Sequence, residues 1–425
     1  MILAVFLGTL FFGLALGVPV AFALMFCGVV MMWWLGIFNA QIISQQMVTG
    51  ANTFTLLAIP FFLLAGELMN AGGLSKRIVD FAVACVGHIR GGLGIVAIVA
   101  AVVMASLSGS AAADSAALAA ILIPMMREAG YNVPRAAGLM AAGGVIAPVI
   151  PPSIAFIIFG VAANVSITAL FMGGIVPGLL MAVSLILAWL IVARRENVAP
   201  LPRRTGRERL AATARAGWAL VMPVIILGGI RFGVFTPTEA AVVAAVYALF
   251  VGLFIYRELK IADLYGVLLR AAKTTAVVLF LVSAALVTSW LITRANIPAE
   301  ITRFLRPIID NPKLLLLVIV LLVLVVGTVL DLAPTILILS PVLMPVIRAA
   351  GIDPVYFGIV FVMTTCIGLL TPPVGVVLNV VSGVARVPMG QVIWGVWPFL
   401  LAQVGVLMLL IAVPEIVTVP LSLLR

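Results

Sequence analysis

The sequence predicts an all-α polytopic membrane protein in which five spans and one re-entrant hairpin recur, inverted, in each half. Three observations predict it. The composition is strongly apolar, two long apolar runs are broken at their middles, and the chain matches itself at a shift of 221 residues (Pro124 against Pro345).

The chain has 425 residues, 65% of them hydrophobic and 9% charged. Soluble domains lie nearer half apolar and a quarter charged. Lipid satisfies no backbone hydrogen bonds, so apolar runs of span length mean helices. The first run begins at residue 2 and continues through Trp34 with no basic residue ahead of it. It is therefore read as membrane helix and not as a cleaved signal. Cys27, Cys85, Cys366 and the single histidine, His88, are scattered. No zinc, haem or iron–sulfur site is expected, and no cofactor beyond a coupling ion. No GxxxxGK[ST] phosphate loop occurs, which argues against ATP drive by this chain. The net charge of +10 sits in the connections between apolar runs. That is the positive-inside pattern of a chain embedded in lipid, and no nucleic acid partner is expected.

Apolar runs fall at 2–17, 19–37, 52–73, 92–126, 136–165, 168–193, 218–235, 238–256, 272–293, 314–346, 355–385 and 391–422. Between the halves, 194–217 holds seven arginines with Pro200 and Pro202 and reads as a cytoplasmic linker. This gives a first repeat over 1–193 and a second over 218–425. The runs 92–126 and 314–346 are broken by Ser106–Ser110 and by Gly327, Thr328 and Asp331. Their limbs are too short for a hydrocarbon core of about 30 Å, so both are expected to enter and leave on one face. Of the 24 Lys and Arg, 17 then fall inside, and both termini fall outside. The mixed stretches 75–90 and 295–312 read as surface arms beside the hairpins, either hinges or plain interfacial helices.

At the 221 shift Arg127 also meets Arg348, Gly130 meets Gly351, Pro151-Pro152 meets Pro372-Pro373, and Pro177 meets Pro398. Five spans are an odd number, so the second copy sits upside down. Inverted repeats with broken helices are the pattern of secondary transporters. The alternatives are a channel, which needs a ring of subunits, and an intramembrane enzyme, which needs a reactive constellation that one histidine does not supply.

Each half offers a hairpin tip and an unwound stretch. These are Ser106–Asp114 with Gly143–Pro152, and Gly327–Asp331 with Thr364–Pro373. Proline and glycine free carbonyl oxygens there, and with serine and threonine hydroxyls these suit sodium; the same residues also serve as helix packing. An anionic solute is expected between the tips, near the positive ends of half-helices. Asp114 and Asp331 are intramembrane carboxylates, functional or capping. Arg294 ends the run 272–293 and either meets a carboxylate or marks the interface. Thr236, Pro237 and Glu239 spell a helix start with a capping box. Glu67 is read as a snorkelling side chain.

The motifs SLSGSAAAD, IPPS, GGIRFGVFTPTEAA and LLTPPVG resemble the large membrane subunit of tripartite ATP-independent periplasmic (TRAP) transporters, over essentially the whole chain. The resemblance implies an elevator-type carrier in the bacterial inner membrane, with scaffold and transport domains, driven by sodium and handling carboxylate-bearing solutes. It implies sodium around Ser106, Ser108, Gly109, Ser110, Gly143, Gly144 and Ala147, and around Gly327, Thr328, Thr364, Thr365 and Gly368. Ser110, Asp114, Arg294, Asp331, Pro152 and Pro373 are the expected solute-binding residues. A small four-helix membrane subunit, expected as a separate polypeptide on the runs 2–37 and 218–256, and a periplasmic solute-binding protein are the implied partners, besides membrane lipid.

Overall fold

The computed structural model describes residues 2–194 and 201–424, and among them it is helical with no strand. Helices α1 (Ile2–Ala15) and α2 (Val20–Trp34) precede the polar α3 (Ala40–Ala51) and α4 (Ala58–Ala71). The arm α5 (Leu74–Val86) leads into a hairpin of α6 (Gly92–Ser108) and α7 (Ala111–Glu128). One broken run supplies α8 (Val133–Gly144) and α9 (Ile154–Ala163), and α10 (Ile167–Ala193) follows. After the linker come α11 (Gly206–Arg231), α12 (Pro237–Phe250), α13 (Ile261–Arg294) and the arm α14 (Ile297–Ile309). The second hairpin pairs α15 (Pro312–Gly327) with α16 (Leu332–Ala349). A second broken run gives α17 (Pro354–Gly368) and α18 (Val376–Ala385), then α19 (Met389–Ala412) and α20 (Glu415–Leu424).

Local chemistry sets these boundaries. The hairpin limbs hold 17, 18, 16 and 18 residues. At 1.5 Å per residue that is roughly 24–27 Å, a little under a hydrocarbon core of about 30 Å, although α16 is long and apolar enough to cross. Gly109 turns the first hairpin in the left-handed region (φ 63°), and Ser110 then caps α7. Thr236 and Glu239 form the expected capping box on α12. Seven helices among the described residues are long and apolar enough to cross a membrane on their own.

Four features differ from the sequence reading. Helices α1 and α2 have 14 and 15 residues, about 21–23 Å, and are shorter than the spans expected there. The left-handed Gly17 and Pro19 cut the apolar run between them. The polar α3, capped by Asn39, was not expected at all. Helix α11 begins inside the expected linker, because Thr205 and Glu208 form a capping box that starts it at Gly206; residues 195–200 of that linker lie outside the described residues. Helix α13 has 34 residues and reaches back to Ile261, well beyond the apolar run 272–293.

Elements of the two halves correspond. Helix α7 spans 111–128 and α16 spans 332–349, a shift of 221 residues at both ends. The shift also relates α8 to α17 and, within one or two residues, α9 to α18 and α10 to α19. Packing exchanges the halves: α7 lies on α18, and α16 lies on α9. Arg127 donates to the Ala385 carbonyl at 2.9 Å, and its counterpart Arg348 donates to the Ala163 carbonyl at 3.2 Å. Both Pro151–Pro152 and Pro372–Pro373 are cis.

Two groups of helices emerge. In the outer group α12 packs on α4, and α13 packs on α2, α3 and α4. In the inner group α19 packs on α8, and α10 packs on α17, α19 and α20, around the buried rings of Trp189, Phe159, Phe357, Phe361 and Phe399. The arm α5 is pinned to the outer group. Arg77 pairs with Glu258 at 2.8 Å and lies 3.9 Å above the Tyr256 ring.

Candidate solute and cation site

A cavity of about 170 Å³ lies where both hairpin tips meet. Gly109 to Ala112 of the first tip and Asp331 to Ala333 of the second form two of its walls, with Pro148 and Leu369 from the broken runs. Leu63 of α4 and Thr274 and Val278 of α13 close it from the outer group. Four helices, α7, α9, α16 and α18, start at this wall. The first turns of a helix carry unpaired N–H groups and a partial positive charge. Four such ends around one small space favour an anion. Among the described lining residues Asp331 is the one formally charged side chain, and it is exposed.

The first tip carries a buried polar network. Ser108 donates to Asp114 and accepts from the Ser110 N–H at 3.2 Å. Asp114 is 2% exposed, and its second carboxylate oxygen has no hydrogen-bond partner. The next residue, Ser115, is also buried, with its hydroxyl unpaired. It fills the space beside Gly144, where a Cβ would stand 1.8 Å from the Ser115 oxygen. Gly109 touches the broken run in the same way, since a Cβ there would meet the Pro152 carbonyl at 2.7 Å. The tip is thus seated against the end of α8 and the start of α9.

The second tip is built from closer backbone contact. Gly327 lies against Gly368, and a Cβ on Gly368 would stand 2.8 Å from the Gly327 Cα. The hydroxyls of Thr328, Thr364 and Thr365 donate to the carbonyls of Val325, Val360 and Phe361. With its proton so engaged, each oxygen keeps lone pairs for a cation. Asp331 caps α16 through the Leu332 N–H.

The carbonyls expected to be free are partly engaged. Gly143 accepts from Ile146 at 3.2 Å, and Gly144 accepts from Ala147 at 3.1 Å. Gly368 accepts from Thr371 at 2.9 Å. The broken runs leave the α-helix as tight turns, which keep these short-range bonds; Gly143 accepts from Val145 as well as Ile146.

Not every expected residue reaches the cavity. Ser110 and Asp331 line it. Asp114 turns instead into a separate small recess with Gly66, Asn70, Ser75 and Ser108. Ser106 donates to Val103 and borders an apolar crevice with Ile150 and with Leu220 and Pro223 of α11. Pro152 is buried beside Gly109, whereas Pro373 is exposed, and neither lines the cavity. Arg294 is exposed at the end of α13, 20 residues from Thr274, or about 30 Å along the helix. The geometry does not bring it to this site. Sequence reasoning missed Ser115, the one hydroxyl within α7, and Thr274, one of several along α13. It also read Glu67 as snorkelling, whereas Glu67 pairs with Arg270 at 2.8 Å.

Comparison with known proteins decides the family. Residues 7–416 match the family model of the tripartite ATP-independent periplasmic transporter, DctM component. The chain belongs to the DctM family. It is 54% identical over 422 residues to the 2,3-diketo-L-gulonate TRAP transporter large permease protein YiaN of Escherichia coli, covering 99% of each chain. It is 41% identical over 399 residues to the sialic acid TRAP transporter large permease protein SiaM of Vibrio cholerae, covering 94% of this chain and 93% of the other. The C4-dicarboxylate TRAP transporter large permease protein DctM of Pseudomonas aeruginosa is 40% identical over 378 residues, 89% of this chain and 88% of its own length. A crystal structure of the YdaH transporter of Alcanivorax borkumensis shares the fold, with a TM-score of 0.64 at 16% identity, over 89% of this chain and 88% of that one. As a DctM component the chain is a multi-pass membrane permease, one part of a three-part transporter, and not an enzyme.

Proposed function

We propose that this permease carries a carboxylate-bearing solute across the bacterial inner membrane, coupled to sodium, with both chain termini periplasmic. The observation that carries the reading is the cavity enclosed by two hairpin tips and four helix starts. A carboxylate there accepts N–H groups from the first turns of α7 and α16, without a buried counter-charge. The relatives named for diketogulonate, sialic acid and C4-dicarboxylates all concern acids, and 2,3-diketo-L-gulonate is the first candidate because its permease is 54% identical to this chain.

Sodium binds beside the tips in this reading. The oxygens of Ser108, Thr364 and Thr365 and the turn carbonyls of Gly143, Gly144 and Gly368 are hard donors suited to it. The unpaired buried oxygens of Asp114 and Ser115 support a cation near the first tip. The inner helices then move as a transport domain against the outer scaffold, in an elevator motion about the arms α5 and α14. A small four-helix subunit packs on the scaffold, and a periplasmic binding protein delivers the acid.

The test is uptake into proteoliposomes holding this chain, its small subunit and its binding protein. Uptake should require an inward sodium gradient. Unimpaired uptake with choline in place of sodium refutes the coupling.

A further inference from the structure

The cavity has an electrostatic gap. A carboxylate inside it faces Asp331, and among the described lining residues no lysine or arginine answers either charge. The helix starts supply N–H groups and partial positive charge, but no full counter-charge. A neighbouring cation is within reach along the outer wall. Leu63 and Thr274 line the cavity from α4 and α13. Glu67 lies four residues after Leu63 on α4, and Arg270 four residues before Thr274 on α13. Residues four apart share a helix face, one turn or about 6 Å along the axis. The pair Glu67–Arg270 therefore continues the same two faces just beyond the cavity.

Its geometry is that of a door more than of a brace. Arg270 Nε meets Glu67 Oε2 at 2.8 Å, and this is the one hydrogen bond of the Arg270 side chain among the described residues. A guanidinium has five N–H donors, so its terminal nitrogens are left to a second partner. The side chains are 57% and 33% exposed, and Nη1 extends past Gly266, away from Thr274. The pair thus stands one turn beyond the cavity and not in its wall. Helices α4 and α13 already pack directly, and exposed ion pairs contribute little to stability. Lys273, also exposed, adds positive charge beside Thr274.

We propose that Arg270 is a carboxylate-receiving residue at the mouth of the cavity, and that Glu67 is the protein carboxylate the solute displaces. This rests on the reading of the cavity as the solute site. Arg270 donates to both oxygens of the solute's carboxylate. Glu67, one turn from Leu63, then retakes the guanidinium and lets the acid go. On the proposed topology this end faces the cytoplasm, so the pair governs release.

The experiment uses the whole three-part complex in proteoliposomes, with labelled 2,3-diketo-L-gulonate, sialic acid and succinate as probes. Two readouts are taken: initial uptake, and inhibition of uptake by the same acid preloaded inside. Arg270→Gln should lower uptake and weaken internal inhibition about tenfold, the scale of one lost charge-assisted contact. Arg270→Lys should keep part of both. Glu67→Gln should do the opposite on the second readout, with tighter internal inhibition and slower turnover. The swap Glu67→Arg with Arg270→Glu restores an ion pair but not the receiver, and should stay defective. Recovery of uptake by the swap, or internal inhibition unchanged in Arg270→Gln, overturns the inference while leaving the carrier function standing. A wild-type complex that carries none of the three acids overturns the proposed function, and this inference with it.

Discussion

Replacing Ser108 and Thr328 by alanine, one at each hairpin tip, separates two meanings of the repeat. By the chain's self-match the two tips are equivalents. The structure gives the two hydroxyls different company. Ser108 serves both sides of a network, donating to the buried Asp114 and accepting from the Ser110 N–H. Thr328 donates only to Val325, one turn back in its own helix. Ser108→Ala removes a hydrogen bond to a carboxylate whose other oxygen is already unpaired, a loss of about 1.5–3 kcal/mol. Thr328→Ala removes a local back-bond, worth about 1 kcal/mol or less. If both oxygens also ligate sodium, each variant adds a further loss. About 1.4 kcal/mol corresponds to a tenfold higher sodium concentration for half-maximal uptake. The expected outcome is a shift of roughly tenfold or more for Ser108→Ala and a smaller one for Thr328→Ala. The assay is initial uptake against sodium concentration, with the amount of inserted protein measured for each variant. Equal shifts would refute the asymmetry read from the hydrogen bonds. No shift in either would refute the assignment of sodium to the tips.

A cysteine at Gly206, the start of α11, should resist a membrane-impermeant thiol reagent in intact cells; labelling as fast as at a C-terminal cysteine would overturn the proposed orientation. Arg127→Ala and Arg348→Ala break reciprocal contacts across the two halves. Each should lower thermal stability in detergent by a similar amount, on the order of 1.5–3 kcal/mol for a charged donor lost from a carbonyl. A large effect of one and none of the other would argue against a two-fold interlock.

Much of the architecture was legible because its causes are local. The small and polar residues at Ser106–Ser110 and Gly327–Asp331 marked where both hairpins turn. Thr236 and Glu239 announced the start of α12 through a capping box that needs four residues of sequence. What was hidden depends on packing. Nothing around Asp114 says that its side chain turns toward Asn70 and Ser75 and not toward the cavity. Arg294 looked well placed at the end of an apolar run. The true length of α13 shows that 20 residues separate it from the cavity wall. Arg270 was counted only as one positive charge among the inner connections, because its pairing with Glu67 joins positions 203 residues apart. Such a pair has no period or motif to reveal it.

The unequal burial of equivalent residues carries a mechanical argument. Pro152 is buried against Gly109, while its counterpart Pro373 is exposed, as are Val374 and Asn379 beside it. Asp331, the cap of α16, is exposed, while its counterpart Ser110, the cap of α7, is half-buried. The first arm is pinned to the outer group by Arg77, Glu258 and Tyr256, and the second arm presents Arg303 and Arg306 to solvent. Two copies of one unit with the same motifs would, in a symmetric molecule, show the same exposure. They do not: residues at the start of α18 and the cap of α16 are more exposed than their first-half counterparts. Inverted repeats offer a route to the converse arrangement, although the tip residues themselves differ between the halves. Exchange of the two arrangements would move the opening of the cavity from one end to the other. The Glu67–Arg270 pair, fixed on the outer helices α4 and α13, would stay where it is. In the proposed elevator motion, a residue that holds still while the cavity moves past it is well placed to take the solute at only one end.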